Sequence, residues 1–278
     1  FVRLYFMSQL KIAFIGGGNM ATCIFNGIVK TRNHEDQIMV SGPHLEKLAH
    51  FKEQGALVTS DNVEALKFAD IVFLGVKPQI MPEVLDELKG SGVDYTNKLF
   101  ISMAAGWRFE AFYSRLGPCK FIRIMPNTPA QLGLGLTSMC CGLDVNKEQE
   151  ALCLELLSGL GKTVLTDEEG INSLGALAGS APAFMYRFME ALVNETQKRG
   201  FSKEESRAII EQMALGTAQM VIHNQDKDIS ALREAVTSKG GTTFQGLAQM
   251  TEYKFEEMMS QVIEACLRRT HEFENMFK

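Results

Sequence analysis

Residues 10–21 read LKIAFIGGGNMA, an apolar run followed directly by three glycines and the first residues of a helical pattern. Gly16, Gly18 and Ala21 match the dinucleotide-binding pattern G-x-G-x-x-G/A. In that pattern the first glycine allows a tight turn, the second lets a pyrophosphate approach the backbone, and the last small residue lets the helix pack on the strand. The segment predicts a Rossmann-type unit that binds a nicotinamide or flavin dinucleotide. The alternative is a glycine-rich turn without a ligand.

Strand and helix patterns alternate along the chain after this motif. Apolar runs predict strands at 10–15, 37–41, 57–58, 71–76, 99–103, 121–125 and 162–165. Helical periodicity predicts helices to about Val29 and at 45–54, 62–68, 81–88, 109–116 and 149–160. This alternation predicts an α/β fold with a doubly wound parallel sheet. Its binding crevice is then expected beyond the carboxyl ends of the strands.

The chain has an almost wholly helical pattern after about residue 165, with predicted helices at 171–177, 183–198, 203–223, 229–237 and 243 to the end. We expect a dinucleotide-binding Rossmann domain at 7–165 and an all-helical substrate-binding and dimerisation domain at 166–278. Methionines at helical spacing among leucines and alanines indicate core or subunit interface, which favours a homodimer. Residues 1–6, FVRLYF, precede Met7 and are expected to be a remnant outside the folded chain.

Composition argues against several classes of protein. A net charge of −5 without a run of lysine and arginine argues against nucleic-acid binding. No apolar stretch approaches the ~20 residues that cross a bilayer, so no membrane association is expected. The six cysteines include no C-x-x-C pair and have no histidine partner at metal spacing. They predict free thiols, no metal site and a reducing, cytoplasmic location.

The end of the second predicted strand bears on the choice of dinucleotide. An acidic residue at this point would bind the ribose hydroxyls of NAD. Here the chain reads SGPH from Ser41, with no acid before Glu46. Ser41 is expected to donate to a 2′-phosphate, and His44 or Lys47 would add positive charge. The sequence therefore favours NADP over NAD.

Two proline-containing segments follow further strands on the same rim. In VKPQ, Pro78 ends the strand and sets a loop over the nicotinamide end, while Lys77 is either a charge in the site or a solvated loop lysine. In MPNTPA, two prolines hold Asn127 and Thr128 in a rigid, extended turn. That turn is either part of a site or a hinge between domains.

A second glycine-rich segment lies in the helical half, where residues 235–248 read AVTSKGGTTFQGLA. The glycine pair Gly240 and Gly241 can point successive N–H groups in one direction. Such a nest before a helix suits a small carboxylate. The alternative is a helix–loop–helix turn with a threonine cap.

The motifs GGGNMA, VKPQ, MPNTPA, GSAPAF and AVTSKGGTT, in this order and at these separations, resemble pyrroline-5-carboxylate reductase. The resemblance runs from about Lys11 to the C-terminus, and its last motif is the specific one. It implies reduction of Δ1-pyrroline-5-carboxylate to L-proline with NADPH, or with NADH, in the last step of proline synthesis. It also implies a Rossmann domain, a helical dimerisation domain, and dimers that commonly assemble into decamers.

The resemblance assigns residues to substrate and cofactor. The substrate carboxylate would lie on backbone amides of Ser238, Lys239, Gly240, Gly241 and Thr242, and the catalytic Thr243 hydroxyl would reach the ring nitrogen. Gly179, Ser180 and Pro182 would face this loop from a partner subunit. The cofactor would lie along Asn62, Val76, Lys77, Pro78 and the Met125–Asn127 turn, in addition to Gly16, Gly18, Asn19, Met20 and Ala21.

Three departures from the family pattern stand in this chain. Lys239 replaces the usual proline, which loosens the carboxylate loop but adds a favourable charge. Ala178 and Ala181 replace the usual serine and glycine, so no hydroxyl role is carried over to position 178. Asp226 aligns only roughly with a glutamate of some members, and no role is assigned to it.

Three other functions compete with this interpretation. A β-hydroxyacid dehydrogenase needs a lysine on the first long interdomain helix, and this chain has none there before Lys198. A reductase of another cyclic imine is harder to exclude, because only the predicted carboxylate loop favours an amino-acid substrate. A non-catalytic NADP(H)-binding regulator would have no use for an intact loop of hydroxyls and glycines.

Overall fold

The computed structural model describes residues 9–32 and 36–277. The expectation for residues 1–6 lies outside this part of the chain.

An eight-stranded sheet forms the centre of the first part of the chain, with the strand order β3-β2-β1-β4-β5-β6-β7-β8. Its strands are β1 Lys11–Ile15, β2 Gln37–Ser41, β3 Leu57–Thr59, β4 Ile71–Leu74, β5 Leu99–Ser102, β6 Lys120–Pro126, β7 Gly135–Cys141 and β8 Gly161–Leu165. β1 to β6 are mutually parallel, which confirms the predicted doubly wound sheet. β7 was not predicted and pairs antiparallel with β6.

Helices cover both faces of this sheet, so its central strands are buried on both sides. Ile12 and Phe14 of β1 belong to one apolar core, whereas the alternate residues Ala13 and Ile15 belong to the other. Successive strand residues point to opposite faces, which explains why a doubly covered strand is a continuous apolar run. The first half of the chain contains the helices α1 Asn19–Thr31, α2 Ala49–Glu53, α3 Asn62–Phe68, α4 Met81–Gly90, α5 Phe109–Leu116 and α6 Lys147–Leu157.

The rest of the described chain is helical. After α7 Glu168–Leu174 and a π-helical turn at Gly175–Gly179, it contains α8 Ala181–Lys198, α9 Lys203–His223, α10 Ile229–Ala235, α11 Thr242–Glu252 and α12 Phe255–Met276. The sequence predicted one helix from residue 243 to the end. The structure breaks it at Lys254, whose φ of 54° lies in the left-handed region and ends α11.

The chain divides into two compact units, Phe1–Ser180 with Cys266–Lys278 and Ala181–Ala265. This division differs from the predicted boundary near residue 165, because α7 and the end of α12 pack with the sheet. Glu168 of α7 accepts hydrogen bonds from the Arg123 side chain and from the Phe109 N–H group. Glu274 of α12 accepts a hydrogen bond from the Asn172 side chain of α7 at 2.9 Å.

Candidate functional site

The glycine-rich loop after β1 is built against the loop after β4. Gly16 has a φ of 98°, and a Cβ atom there would lie 2.8 Å from the Gly75 carbonyl carbon and the Val76 nitrogen. Its N–H group donates to the Ser41 carbonyl at 2.9 Å. Both the backbone conformation and the close approach therefore require glycine at position 16.

At position 18, by contrast, neither the backbone conformation nor a close approach requires glycine. Its φ of −77° suits any residue, and a Cβ atom would lie 3.9 Å from the Gly75 oxygen, its nearest neighbour. Gly18 is the N-cap of α1, and no side chain of the described residues caps this helix. The first-turn N–H groups near Asn19 and Met20 are thus left for a ligand, and open space lies beside Gly18. Both features fit a dinucleotide pyrophosphate.

Ser41 ends β2 beside this loop and is fully buried. Its hydroxyl donates to Asn62 Oδ1 at 2.7 Å, and Asn62 Nδ2 donates to Glu87 Oε2 at 2.8 Å. From the sequence we expected the Ser41 hydroxyl to donate to a 2′-phosphate. In the structure it donates to Asn62 instead. His44 and Lys47 are exposed. A contact of any of these residues with a 2′-phosphate stays a prediction.

The loop after β4 follows the same edge of the sheet. The Lys77 side chain is exposed, whereas Val76 and Pro78 are half-buried. The Pro78 carbonyl accepts a hydrogen bond from the indole N–H of Trp107 at 3.1 Å. Trp107 was not predicted from the sequence, because nothing in its own segment signals a partner 29 residues away.

Asn127 follows β6, and both the nitrogen and the oxygen of its side-chain amide are hydrogen-bonded. Nδ2 donates to the Ala178 carbonyl at 3.1 Å, and Oδ1 accepts from the Leu136 N–H at 2.9 Å. The residue thus braces the end of β6 against β7 and against the turn before α8. Ser180 follows that turn, and its N–H group donates to the Gly175 carbonyl at 2.9 Å. A contact of Asn127 with cofactor, or of Ser180 with substrate, stays a prediction.

A left-handed turn precedes α11. Gly240 has a φ of 73°, and the Gly241 N–H donates to the Ser238 carbonyl at 3.0 Å. Gly241 is the N-cap of α11, and none of the described side chains caps the helix. The alternative of a threonine cap is therefore wrong. Thr242 and Thr243 are exposed at the first turn, where helix N–H groups favour an anion.

The predicted residues fall into both compact units. The cofactor residues and Ser180 belong to the unit that contains the sheet, whereas the loop 238–243 belongs to the unit Ala181–Ala265.

Metal ligands and cysteine thiols were the other candidate groups in the described part of the chain. Among those residues, no group of three or more His, Cys, Asp or Glu side chains could hold a metal ion. All six cysteines are free. Burial, with a smaller contribution from Asp144, raises the pKa of the Cys119 thiol to about 12. In the same region of the chain, no helix is long and apolar enough to cross a membrane.

Comparisons with known proteins show which families this chain resembles. The model for pyrroline-5-carboxylate reductase dimerisation matches residues 168–273, and the model for coenzyme F420-dependent NADP oxidoreductase matches residues 11–106. The chain is 40% identical over 274 residues to a pyrroline-5-carboxylate reductase of Vibrio alginolyticus, covering 98% of this chain and all of the relative.

Solved structures agree with these sequence matches. A pyrroline-5-carboxylate reductase from Coxiella burnetii superposes with a TM-score of 0.86 at 33% identity, covering 96% of this chain and 99% of that one. A Plasmodium falciparum pyrroline carboxylate reductase with NADP bound has a TM-score of 0.86 at 26% identity, covering 96% and 99%.

Proposed function

This chain belongs to the pyrroline-5-carboxylate reductase family, and from that premise we propose which of its residues carry the reaction. It is an NADP-dependent oxidoreductase that reduces the C=N bond of 1-pyrroline-5-carboxylate to L-proline, the last step of proline biosynthesis. The observation that carries the residue assignment is the uncapped N-terminus of α11 behind the left-handed turn at Gly240.

The substrate carboxylate binds the loop that precedes α11. The carboxylate is assigned to the backbone amides of the loop from Ser238 to Thr242, of which the Gly241 N–H is already used by the Ser238 carbonyl, and the N-terminal end of α11 favours its negative charge. The Lys239 side chain is exposed and adds a positive charge beside the loop. A side-chain cap on this helix would compete for the same donors, so its absence among the described residues supports this assignment.

Reduction of the imine requires a hydride at carbon and a proton on nitrogen. NADPH supplies the hydride. A cyclic imine is basic enough to arrive partly protonated, so the chain needs no strong acid and can work by orientation. The Thr243 hydroxyl hydrogen-bonds the ring nitrogen and holds the ring in register, and Ser180 of a partner subunit closes the substrate site from the other side.

The cofactor binds along the carboxyl edge of the sheet. Its pyrophosphate lies at Gly16, Gly18, Asn19, Met20 and Ala21, its adenosine end near Ser41 and Asn62, and its nicotinamide end near Val76, Lys77, Pro78 and Asn127. His44 or Lys47, both exposed beside the end of β2, adds positive charge for a 2′-phosphate, which supports the preference for NADPH. NADH serves as a weaker donor, because no acidic residue at the end of β2 is placed for the ribose hydroxyls.

We keep the predicted assignment of roles: residues 7–165 carry the cofactor-binding residues, and 166–278 carry those for the substrate and a second subunit. The compact units do not coincide with these roles, because α7 and the end of α12 belong to the unit that contains the sheet. Homo-oligomerisation agrees with the dimerisation model that matches 168–273. We extend it to a homodimer that assembles into a decamer. The six free cysteines support a reducing compartment, which we take to be the cytoplasm.

The experiment follows NADPH oxidation at 340 nm with pyrroline-5-carboxylate, using the parent and Thr243→Ala. Loss of a hydrogen bond in a water-excluded site costs about 1–3 kcal/mol, so kcat/KM should fall roughly 5- to 150-fold while the unfolding midpoint stays unchanged.

Thr251→Ala is the matched control, because its hydroxyl lies on the same helix but donates to the Leu247 carbonyl. This variant should keep the parent rate. Equal rates for parent and Thr243→Ala would refute the role of Thr243. No turnover by the parent, with NADPH binding intact, would refute the reductase assignment and favour another cyclic imine or a regulator.

A further inference from the structure

Trp107 lies in the turn that follows β5, at the same edge of the sheet as the cofactor loops. It is fully buried and is the single tryptophan of the chain. Its ring contacts Phe112 with centroids 5.1 Å apart and stacks on Phe277 at 5.2 Å. The one polar atom of the ring, Nε1, donates to the Pro78 carbonyl at 3.1 Å. A large apolar side chain is therefore tied to the Val76–Pro78 loop by one directional bond.

The Val76–Pro78 loop is held at both of its ends. At its start, the Gly75 N–H donates to the Ile15 carbonyl at 2.8 Å, and Gly75 packs against Gly16 with no room for a Cβ atom. At its other end, Pro78 is held by Trp107. The residues between these two points are those assigned above to the nicotinamide end of the cofactor, so movement of Pro78 would move them.

The end of α12 keeps Trp107 in place. A Cβ atom on Gly106 would lie 2.5 Å from Phe273 Cβ, so the backbone before Trp107 lies directly against this helix. Phe277 covers the indole face. On the other side of the turn, Arg108 is paired with Glu274 at 3.5 Å. Three successive residues of the turn after β5 are thus fixed by the last turns of the chain.

We propose that Trp107 is a positioning residue for the nicotinamide end of the cofactor, held by Phe273 and Phe277 and acting through the Pro78 carbonyl. The inference rests on the proposed placement of NADPH along Val76 to Pro78. The C-terminal end of α12 is then part of the cofactor site, although it touches no reacting atom.

The first variant is Trp107→Phe, which keeps an aromatic ring and removes the N–H donor. Loss of one buried hydrogen bond predicts that the KM for NADPH rises about fivefold, whereas the KM for pyrroline-5-carboxylate stays within about twofold of the parent. Tyr95→Phe is the matched control, because it removes an aromatic donor to the Leu116 carbonyl at 2.8 Å, away from the cofactor loop. This control should leave the KM for NADPH unchanged.

The second variant, Phe277→Ala, keeps the tryptophan as a fluorescent reporter and removes the ring that covers it. Emission from Trp107 should shift to longer wavelength, and the Kd for NADPH should rise about threefold or more. A shifted emission with an unchanged Kd would overturn the proposal, as would an unchanged KM for NADPH in Trp107→Phe. The Kd for NADPH is measured without substrate, so it tests Trp107 even if the parent does not turn over pyrroline-5-carboxylate.

Discussion

At the scale of single residues, the two fingerprint glycines serve different purposes. Gly16 is required by the chain itself, since its positive φ and its contact with Gly75 both exclude a side chain. Gly18 is required by neither. We attribute the space beside it to the proposed pyrophosphate site, where an added methyl group would obstruct the cofactor without clashing with the protein.

This contrast predicts different outcomes for two alanine variants. Gly18→Ala should keep the unfolding midpoint of the parent and raise the KM for NADPH at least about tenfold, because the methyl group obstructs the pyrophosphate. Gly16→Ala should destabilise the fold by about 1–3 kcal/mol as well, because its backbone strain adds to a steric clash. Urea unfolding and NADPH kinetics on both variants measure the two effects. A destabilised Gly18→Ala with normal NADPH kinetics would contradict this account.

The sequence indicated which polar residues matter, but it did not indicate which groups they hydrogen-bond. Ser41 and Asn127 were both singled out, yet Ser41 donates to a residue 21 positions away and Asn127 to one 51 positions away. Their amino-acid type indicated polarity at a strand end. The acceptors came from other elements, so only the assembled sheet could identify them.

At the scale of elements, the end of α12 joins the sheet unit through a buried carboxylate. Glu274 accepts from Asn172 at 2.9 Å, contacts His271 Nδ1 at 3.0 Å and lies 3.5 Å from Arg108. Burial alone would raise the pKa of this carboxyl, but these hydrogen bonds and the Arg108 charge together lower it below its ordinary value. The ionised form is thus favoured in the folded state.

The lowered pKa of Glu274 gives the stability a definite pH dependence. The carboxylate stabilises the fold above its unfolded pKa of about 4.3, and this contribution is lost as the pH falls through the lower folded value. Glu274→Gln should therefore reduce the free energy of unfolding at pH 7 by about 1.5–3 kcal/mol. The difference from the parent should shrink in acid.

The measurement is the urea midpoint of parent and variant between pH 7 and pH 3. Glu272→Gln is the matched control on the same helix, because this carboxylate is 58% exposed and pairs only with Arg269 in the described chain. An exposed pair contributes about 0–1 kcal/mol, so the control should follow the parent curve closely. A parallel loss in both variants would show that Glu274 has no special role.

At the scale of the whole molecule, the unit Ala181–Ala265 leaves much apolar surface uncovered. α8 contains no buried residue, although Met185, Tyr186 and Phe188 lie along it. Large contiguous apolar patches are rare on monomeric proteins. The sequence pattern of leucine and methionine predicted a helical domain buried against a second copy, and the family model for dimerisation matches this region.

The mass in solution tests this surface. Light scattering should give at least twice the chain mass of 30.9 kDa, and ten times that mass for a decamer. Met185→Glu should lower the mass, because it places a charge on a residue that is 52% exposed in the single chain and that we expect the partner subunit to cover. Leu143→Glu, on a fully exposed residue of the sheet unit, is the matched control and should leave it unchanged. A monomeric parent would contradict the assembly.

The sequence by itself determined most of the element order, the parallel part of the sheet and the positions of the two glycine-rich loops. These depend on local properties: apolar runs buried on both faces, helical periodicity, and glycines where a side chain cannot fit. It did not reveal β7, since GLTSMCC becomes a strand by pairing with β6.

Tertiary structure alone decided the division at Ser180, the use of the Ser41 and Asn127 side chains, and the contact of Trp107 with Pro78. Each of these depends on atoms that are distant in the chain and meet only after folding. A local pattern can show what a residue offers. Its partner depends on packing, which no short window of sequence contains.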